Sequence, residues 1–362
     1  MRRIVMEHKN DAAKMLDLMD RPAFCAHNGL ITQVNTAAAG LGFSAGDALE
    51  NLIRTGADEY EAFNGGCLYL TLDLDGERLG ASVTRMEEFD VFCLEELADG
   101  RELQAMALAA RELRGPLSTI MLTAQRLFPV TALEDSPEVR RNAAQLNRGL
   151  YQMLRVVGNM SDAGHYATST SRQETVNICA EVEEIFRKAA QLVSHTGITL
   201  EYQGPAAPIY CLADQENLER AILNMVSNSV KFTPAGGVIR GSLTRNGSRL
   251  YLSVQDNGCG IAPNLMGSVF TRFQRQCGLE DRRFGIGLGL VLVRSAATAH
   301  GGAVLIDSPE GGGTRVTMTL AIRHNEGIVR SRLMKVDYAG ELDHSLFELS
   351  EFLPDFLYEG EF

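Results

Sequence analysis

Leu103, Met106, Ala110, Leu113, Leu117, Ile120, Ala124 and Leu127 follow one another at alternating intervals of three and four residues. Val139, Ala143, Leu146, Leu150, Met153, Val157 and Met160 repeat the rhythm. Positions so spaced fall on one narrow stripe of a helix, so each run predicts a long helix with an apolar seam. Between the runs Pro129 to Asp135 makes the turn, Ser136 is a suitable N-cap, and Pro137 takes the first helical position. Gly164 after the second run is the expected C-cap. Two such helices leave their seams half covered, and two copies joined in a four-helix bundle is the economical arrangement, so a homodimer is expected. Pro116 cannot donate to the carbonyl of Glu112, so the first helix is expected to bend beside Arg111 and Glu112. Arg111 neighbours the seam residue Ala110 without lying on the seam and should point partly to solvent.

Ahead of the helices, residues 11 to 95 read as a helix, short strands, a helical patch around Asn35 to Ile53, and then strands. Leu68, Leu70 and Leu72 alternate with Tyr69, Thr71 and Asp73, and Asp75-Gly76 supplies a hairpin turn. Leu79 to Val83 and Val91 to Leu94 follow as further strands.

From Glu174 to about Leu320 strands alternate with helices, and several motifs lie in order along them. Asn224, Asn228 and Lys231, spaced by four and three, share one helix face. Asp256-Asn257-Gly258-Cys259-Gly260-Ile261 directly follows an alternating strand. A carboxylate on the floor of an apolar pocket can accept hydrogen bonds from a ligand, and glycines let backbone approach it closely. Val269 to Arg275 precedes a charged run to Arg283 that reads as a lid. Gly285-Ile286-Gly287-Leu288-Gly289-Leu290 opens a helix, where exposed N–H groups and the positive dipole end favour phosphate. Gly311-Gly312-Gly313-Thr314 closes the series before a last strand.

In this order and spacing the motifs resemble the Bergerat-type ATP-binding domain of sensor histidine kinases. Ala110-Arg111-Glu112-Leu113-Arg114-Gly115-Pro116-Leu117 resembles the helix that carries their phosphate-accepting histidine, whose usual run is His-Glu-Leu-Arg-x-Pro-Leu. Arg111 stands at the histidine position, and a guanidinium stays protonated and has no free lone pair with which to attack a phosphate. The phrase Gly29 to Asn35, within its strand order, resembles a PAS sensor domain; a small α+β dimerisation domain without ligand is the alternative. The resemblance implies that Asn228 supplies an amide oxygen to Mg²⁺, with Asn224 beside it. It further implies that Lys231 and Arg275 meet ATP phosphates, Asp256 with Gly258 and Gly260 holds adenine, and Gly285, Gly287 and Gly289 cradle phosphate. Glu112 occupies the position beside the histidine that can take its proton. Gyrase-like and Hsp90-like ATPases carry a water-orienting glutamate where this chain has Asn224, which argues against efficient hydrolysis.

The expected fold is therefore multidomain α+β. It comprises a PAS-like α+β domain (1–96), an antiparallel helical hairpin forming a dimeric four-helix bundle (97–166), an α/β sandwich of Bergerat type (172–323) and an acidic amphipathic tail (324–362). The tail carries eight acidic residues and no lysine or arginine from Asp337 onward, yet Leu342, Leu346, Leu349, Leu353 and Phe356 form a seam too apolar for a solvated segment. It is expected to dock on the ATP-binding domain or the bundle, a separate partner being the alternative, and Pro354 should break or restart a helix there.

Seven cysteines without a C-x-x-C pair suit a reducing compartment and argue against a disulfide frame or a zinc site. A net charge of −12 argues against nucleic acid as a partner. The start lacks the apolar core of a signal peptide, and no apolar stretch is long enough to span a bilayer, so a cytoplasmic protein without membrane contact is expected. The leading reading is a histidine-kinase-like signalling protein that binds Mg-ATP, cannot autophosphorylate at the usual site, and serves as a nucleotide-responsive switch or scaffold. A response regulator or other signalling protein is the expected partner. The alternative is an active two-component kinase using another acceptor, such as Ser118 or a histidine of a partner, with His165, His195 and His300 read as structural.

Overall fold

The computed structural model describes residues 16, 19–96, 100–128, 136–165, 173–270, 287–309, 311–324 and 343–359. The amino-terminal unit runs β1 (Ala23–His27), β2 (Leu30–Val34), α1 (Thr36–Gly40), α2 (Leu49–Leu52), β3 (Ile53–Thr55), α3 (Ala57–Ala62), β4 (Cys67–Leu74), β5 (Glu77–Arg85) and β6 (Asp90–Glu96). Asn35 knits its start together. The amide oxygen accepts from Ala38 N at 2.9 Å, capping α1, and from Ala23 N at 3.1 Å, fixing the beginning of β1. Asp75 and Gly76 both have positive φ, 52° and 89°, the pairing that a tight two-residue hairpin between β4 and β5 requires.

Two long helices follow, α4 (Gly100–Leu127) and α5 (Pro137–His165). Ser136 Oγ accepts from Val139 N at 3.4 Å, as its capping position predicts. Gly164 lies inside the last turn of α5 rather than after it, since glycine costs a helix only about 1 kcal/mol against alanine. Pro116 remains within one 28-residue helix. Alternate seam positions have different fates: Ala110, Leu117, Ala124, Ala143, Leu150 and Val157 are buried, whereas Leu113, Ile120, Leu127, Leu146 and Met153 are exposed.

The third unit comprises β7 (Glu174–Asn177), α6 (Ile178–Val193), β8 (Thr199–Gln203), β9 (Tyr210–Ala213), α7 (Gln215–Phe232), β10 (Val238–Asn246), β11 (Arg249–Asp256), α8 (Pro263–Met266), α9 (Gly289–Ala299), β12 (Val304–Asp307) and β13 (Arg315–Ala321). Its sheet does not end at β12. Val304 pairs with Tyr69, Leu305 with Leu68 and Ile306 with Cys67, so strands from both units form one sheet in the order β2-β1-β6-β5-β4-β12-β13-β11-β10-β8. Joining the edges satisfies backbone groups that would otherwise stand unpaired, and explains a departure from the alternation expected of β4. Both faces of β4 are buried: Leu68, Leu70 and Leu72 enter the amino-terminal core, while Cys67 and Tyr69 join the core of the third unit.

The tail docks. Helix α10 (His344–Leu349) is capped by Asp343, and Pro354 restarts the chain as a 3-10 turn, Asp355–Tyr358. Leu346, Phe347, Leu349 and Leu353 are buried in the core shared with α6 and α7, whereas Phe356 remains 52% exposed; Leu342 falls outside the described residues. Among the described residues no helix is long and apolar enough to cross a membrane.

Candidate functional site

Helix α7 carries the asparagine face, and its start is fixed by a buried relay. Asp214 Oδ1 accepts from Asn217 N at 3.1 Å, and Asp214 N donates to His300 Nε2 at 3.0 Å. The other ring nitrogen of His300 lies 2.7 Å from Ala296 O, which makes Nδ1–H the donor and the imidazole neutral. Burial holds the His300 pKa below its ordinary value. His300 is thus structural, as expected.

Asn224 is buried, donating to Arg220 O at 2.8 Å, while Asn228 and Lys231 are partly exposed along the same face. The first residue of α9, Gly289, packs against that face: a Cβ there would lie 3.1 Å from Asn224 Oδ1 and 3.6 Å from Asn228 Nδ2. Its lack of a side chain lets the N–H end of α9 approach the asparagines, placing a helix N-terminus beside them.

Asp256 ends β11, 5% exposed, with Oδ1 accepting from Gly258 N at 2.9 Å and Thr314 N at 3.1 Å. Burial raises the carboxyl pKa, and the two backbone donors work against that rise. At Gly258 any Cβ would collide with the Phe232 carbonyl, so glycine is required for this loop to cross the end of α7.

Asn224, Asn228, Lys231, Asp256, Gly260, Gly287 and Gly289 all line one cavity of about 490 Å³, whose wall also includes Ile261, Leu265, Ile306 and Val316. An apolar chamber with a buried acceptor at one place and a lysine and a helix start elsewhere suits a flat base bearing an anionic chain. Gly258 supports the loop from behind. Arg275 and Gly285 lie outside the described residues. Glu112 and Arg111 are exposed on α4 and do not line the cavity. Ser118 Oγ donates to Arg114 O at 2.9 Å, the ordinary bond of a helix serine.

Sequence reasoning missed part of the wall. Gln152 and Arg155 of α5 and Ser350 and Glu351 of the tail also line the cavity. A signal existed: Arg148, Gln152 and Arg155 recur by four and three on α5, matching the tail's Glu348, Glu351 and Asp355 at three and four. In the fold, Arg148 Nη1 lies 2.8 Å from Asp355 Oδ1, and Gln152 Nε2 donates to Ser350 O at 3.1 Å.

Residues 213–324 match the family model described as histidine kinase-, DNA gyrase B-, and HSP90-like ATPase. Hybrid signal transduction histidine kinase D of Dictyostelium discoideum is 32% identical over 246 residues, covering 63% of this chain and 15% of that protein. The signal transduction histidine-protein kinase/phosphatase MprB of Mycolicibacterium vanbaalenii is 30% identical over 243 residues, covering 64% of this chain and 48% of that protein. These matches support the histidine kinase family. The crystal structure of full-length ShkA in complex with AMPPNP shares the fold at a TM-score of 0.51 and 23% identity, over 61% of this chain and 46% of that one. The chain thus spans less than half the length of each of these three proteins. The family model thus covers the stretch from the end of β9 to just past β13, which carries the cavity-lining residues Asn224, Asn228, Lys231, Asp256 and Gly289.

Proposed function

We propose that this chain is a homodimeric signalling protein of the histidine kinase type that binds Mg-ATP but cannot phosphorylate itself at the usual helix position. It acts as a nucleotide-responsive switch or scaffold toward a response regulator or another signalling protein. The observation that carries this reading is the convergence of Asp256, Asn228, Lys231 and Gly289 on one cavity, while the residue at the acceptor position is the guanidinium of Arg111.

Asp256 would accept from the adenine amino group, the start of α9 and Lys231 would hold phosphate oxygens, and Asn228 would offer its amide oxygen to Mg²⁺. One protein oxygen fits a magnesium ion that keeps water and phosphate for most of its octahedron. The Asn228 amide lines the cavity and makes no side-chain hydrogen bond to another described residue, so its oxygen is available for that role. Bound Mg²⁺ would neutralise phosphate charge.

Dimerisation is supported by the split seams. Leu113, Ile120, Leu127, Leu146 and Met153 alternate with buried partners and remain exposed in a single chain, as they would if a second hairpin covered them. The units are assigned as residues 1–96 for a PAS-like sensor, 97–166 for the dimerising hairpin, 172–323 for the ATP-binding domain and 324–362 for the tail. A cytoplasmic setting is part of this reading. Calorimetric titration with Mg-ATP and Mg-ADP tests the reading: saturable binding at one site per chain is expected, and absence of binding to either would remove it.

A further inference from the structure

Arg155 belongs to α5, yet its side chain, 12% exposed, reaches the nucleotide cavity of the neighbouring unit. All three guanidinium nitrogens are engaged there. Nε lies 3.2 Å from Glu348 Oε2, Nη1 lies 3.2 Å from Glu351 Oε2, and Nη2 donates to Ser227 Oγ at 2.8 Å. Ser227 directly precedes Asn228, so the guanidinium is seated on the α7 face that lines the cavity.

The position of this cluster along α7 is informative. Asp256 meets α7 near Ser229 and Phe232, whereas Asn224, 3.5 Å from Glu348, lies five residues earlier than Ser229. At a rise of about 1.5 Å per residue, that sets Glu348 about 7 Å along the helix from the adenine acceptor, and Glu351 shares the Arg155 guanidinium with it. Gly289, the helix start suited to phosphate, packs against the same Asn224. The tail therefore neutralises Arg155 with two carboxylates, Glu348 buried behind the cavity and Glu351 on its wall. Arginine's planar fork suits a phosphate as well as a carboxylate.

We propose that Arg155 is a phosphate-binding residue of the nucleotide site, contributed by the bundle, and that Glu351 occupies its guanidinium until the phosphates of an adenine nucleotide replace that carboxylate. This rests on the nucleotide-binding reading above. Glu348 is fully buried and keeps a second partner, with Arg220 Nε 3.3 Å away, so it stays as the anchor while Glu351, with 26% of its side chain exposed, gives way. Exchange of one anion for another keeps the arginine compensated. It also makes tail docking and phosphate binding oppose each other by the same factor, because linkage is reciprocal. The tail thereby acts as a built-in competitor for the phosphates and not for the base.

Titration of the full chain with adenosine, ADP and ATP in the presence of Mg²⁺ separates these roles. Glu351→Gln keeps the size of the side chain and removes its charge. It is expected to tighten ADP and ATP by roughly fivefold, at the low end of typical coupling, and to leave adenosine unchanged. Arg155→Lys keeps the charge without the fork and is expected to weaken ADP and ATP several-fold, again sparing adenosine. Unchanged ADP and ATP affinity in Glu351→Gln, or an equal change for adenosine, would overturn the proposal. A wild-type chain that binds none of the three ligands would instead overturn the nucleotide-binding reading itself. If Arg155→Lys loses its folded circular dichroism spectrum, Glu351→Gln alone decides.

Discussion

The guanidinium of Arg294 lies 4.8 Å from the centre of the Tyr69 ring, joining α9, the helix that opens at Gly289, to the strand through which the two sheets merge. Glu95 pairs with the same guanidinium and accepts from the Tyr69 hydroxyl at 2.8 Å, and Arg294 Nη1 donates to Phe270 O at 3.1 Å. One buried cation thus ties together the amino-terminal unit, helix α9 and Phe270. Removing one member of a buried charge pair is costly because it strands the other, so Arg294→Ala should lose about 3 kcal/mol of unfolding free energy. Tyr69→Phe, which deletes a single hydrogen bond, should lose about 1 kcal/mol. Urea denaturation of the full chain measures both; a loss below about 0.5 kcal/mol for Arg294→Ala would show that the junction contributes little.

The proposed adenine acceptor, Asp256, is also a buried carboxyl whose charge is costly. Its carboxyl pKa is raised by burial, so the stability linked to this group is present below the unfolded value and is lost as pH rises through the folded one. At neutral pH the folded protein therefore carries the cost of the charged form. Asp256→Asn should weaken ADP binding at least about tenfold by removing an acceptor for the base, while leaving the melting temperature at pH 7 equal to or above that of the wild type. A variant that binds ADP as tightly as the wild type would contradict the role of Asp256.

His300 has a folded pKa depressed by burial, so its contribution to stability is present above the ordinary value and lost as pH falls through the folded value. Protonation would place a second ring N–H against the donor Asp214 N, at the point where α7 is anchored. The melting temperature should fall between pH 7 and pH 5, and His300→Gln should show a shallower decline. Parallel melting curves for the two proteins would exclude His300 as the source.

How much of this was legible differs from residue to residue. The heptad seams, the Asp75-Gly76 turn, the capping role of Ser136 and the cavity residues Asn224, Asn228, Lys231 and Asp256 could be read because each depends on local spacing or on a motif. The sheet junction could not, since pairing of Tyr69 with Val304 joins segments more than two hundred residues apart and no local pattern records it. Leu68, Leu70 and Leu72 showed one buried face of β4, but burial of Tyr69 on the other depends on that junction. Arg155 was hidden for a similar reason: on α5 it reads as a surface charge, and its role emerges only when the acidic tail folds back beside it.

The split seams make a claim about assembly. Leu113 and Ile120 are 48% and 46% exposed in one chain although they sit at regular seam positions. Sedimentation equilibrium should report a dimer for the wild type and a monomer for the double variant Leu113→Glu with Ile120→Glu, because charges facing each other across an apolar bundle seam are not solvated. A wild type that stays monomeric at tens of micromolar would remove the dimer.

The most direct test incubates the full chain and its Arg111→His variant with Mg²⁺ and γ-labelled ATP, and follows both bound nucleotide and covalent label. Nucleotide bound by both proteins, with acid-labile label appearing only in the variant and only at residue 111, is the predicted result. Covalent label on the wild-type chain, or failure of the wild type to bind ATP, would contradict a nucleotide-binding protein that lacks its acceptor.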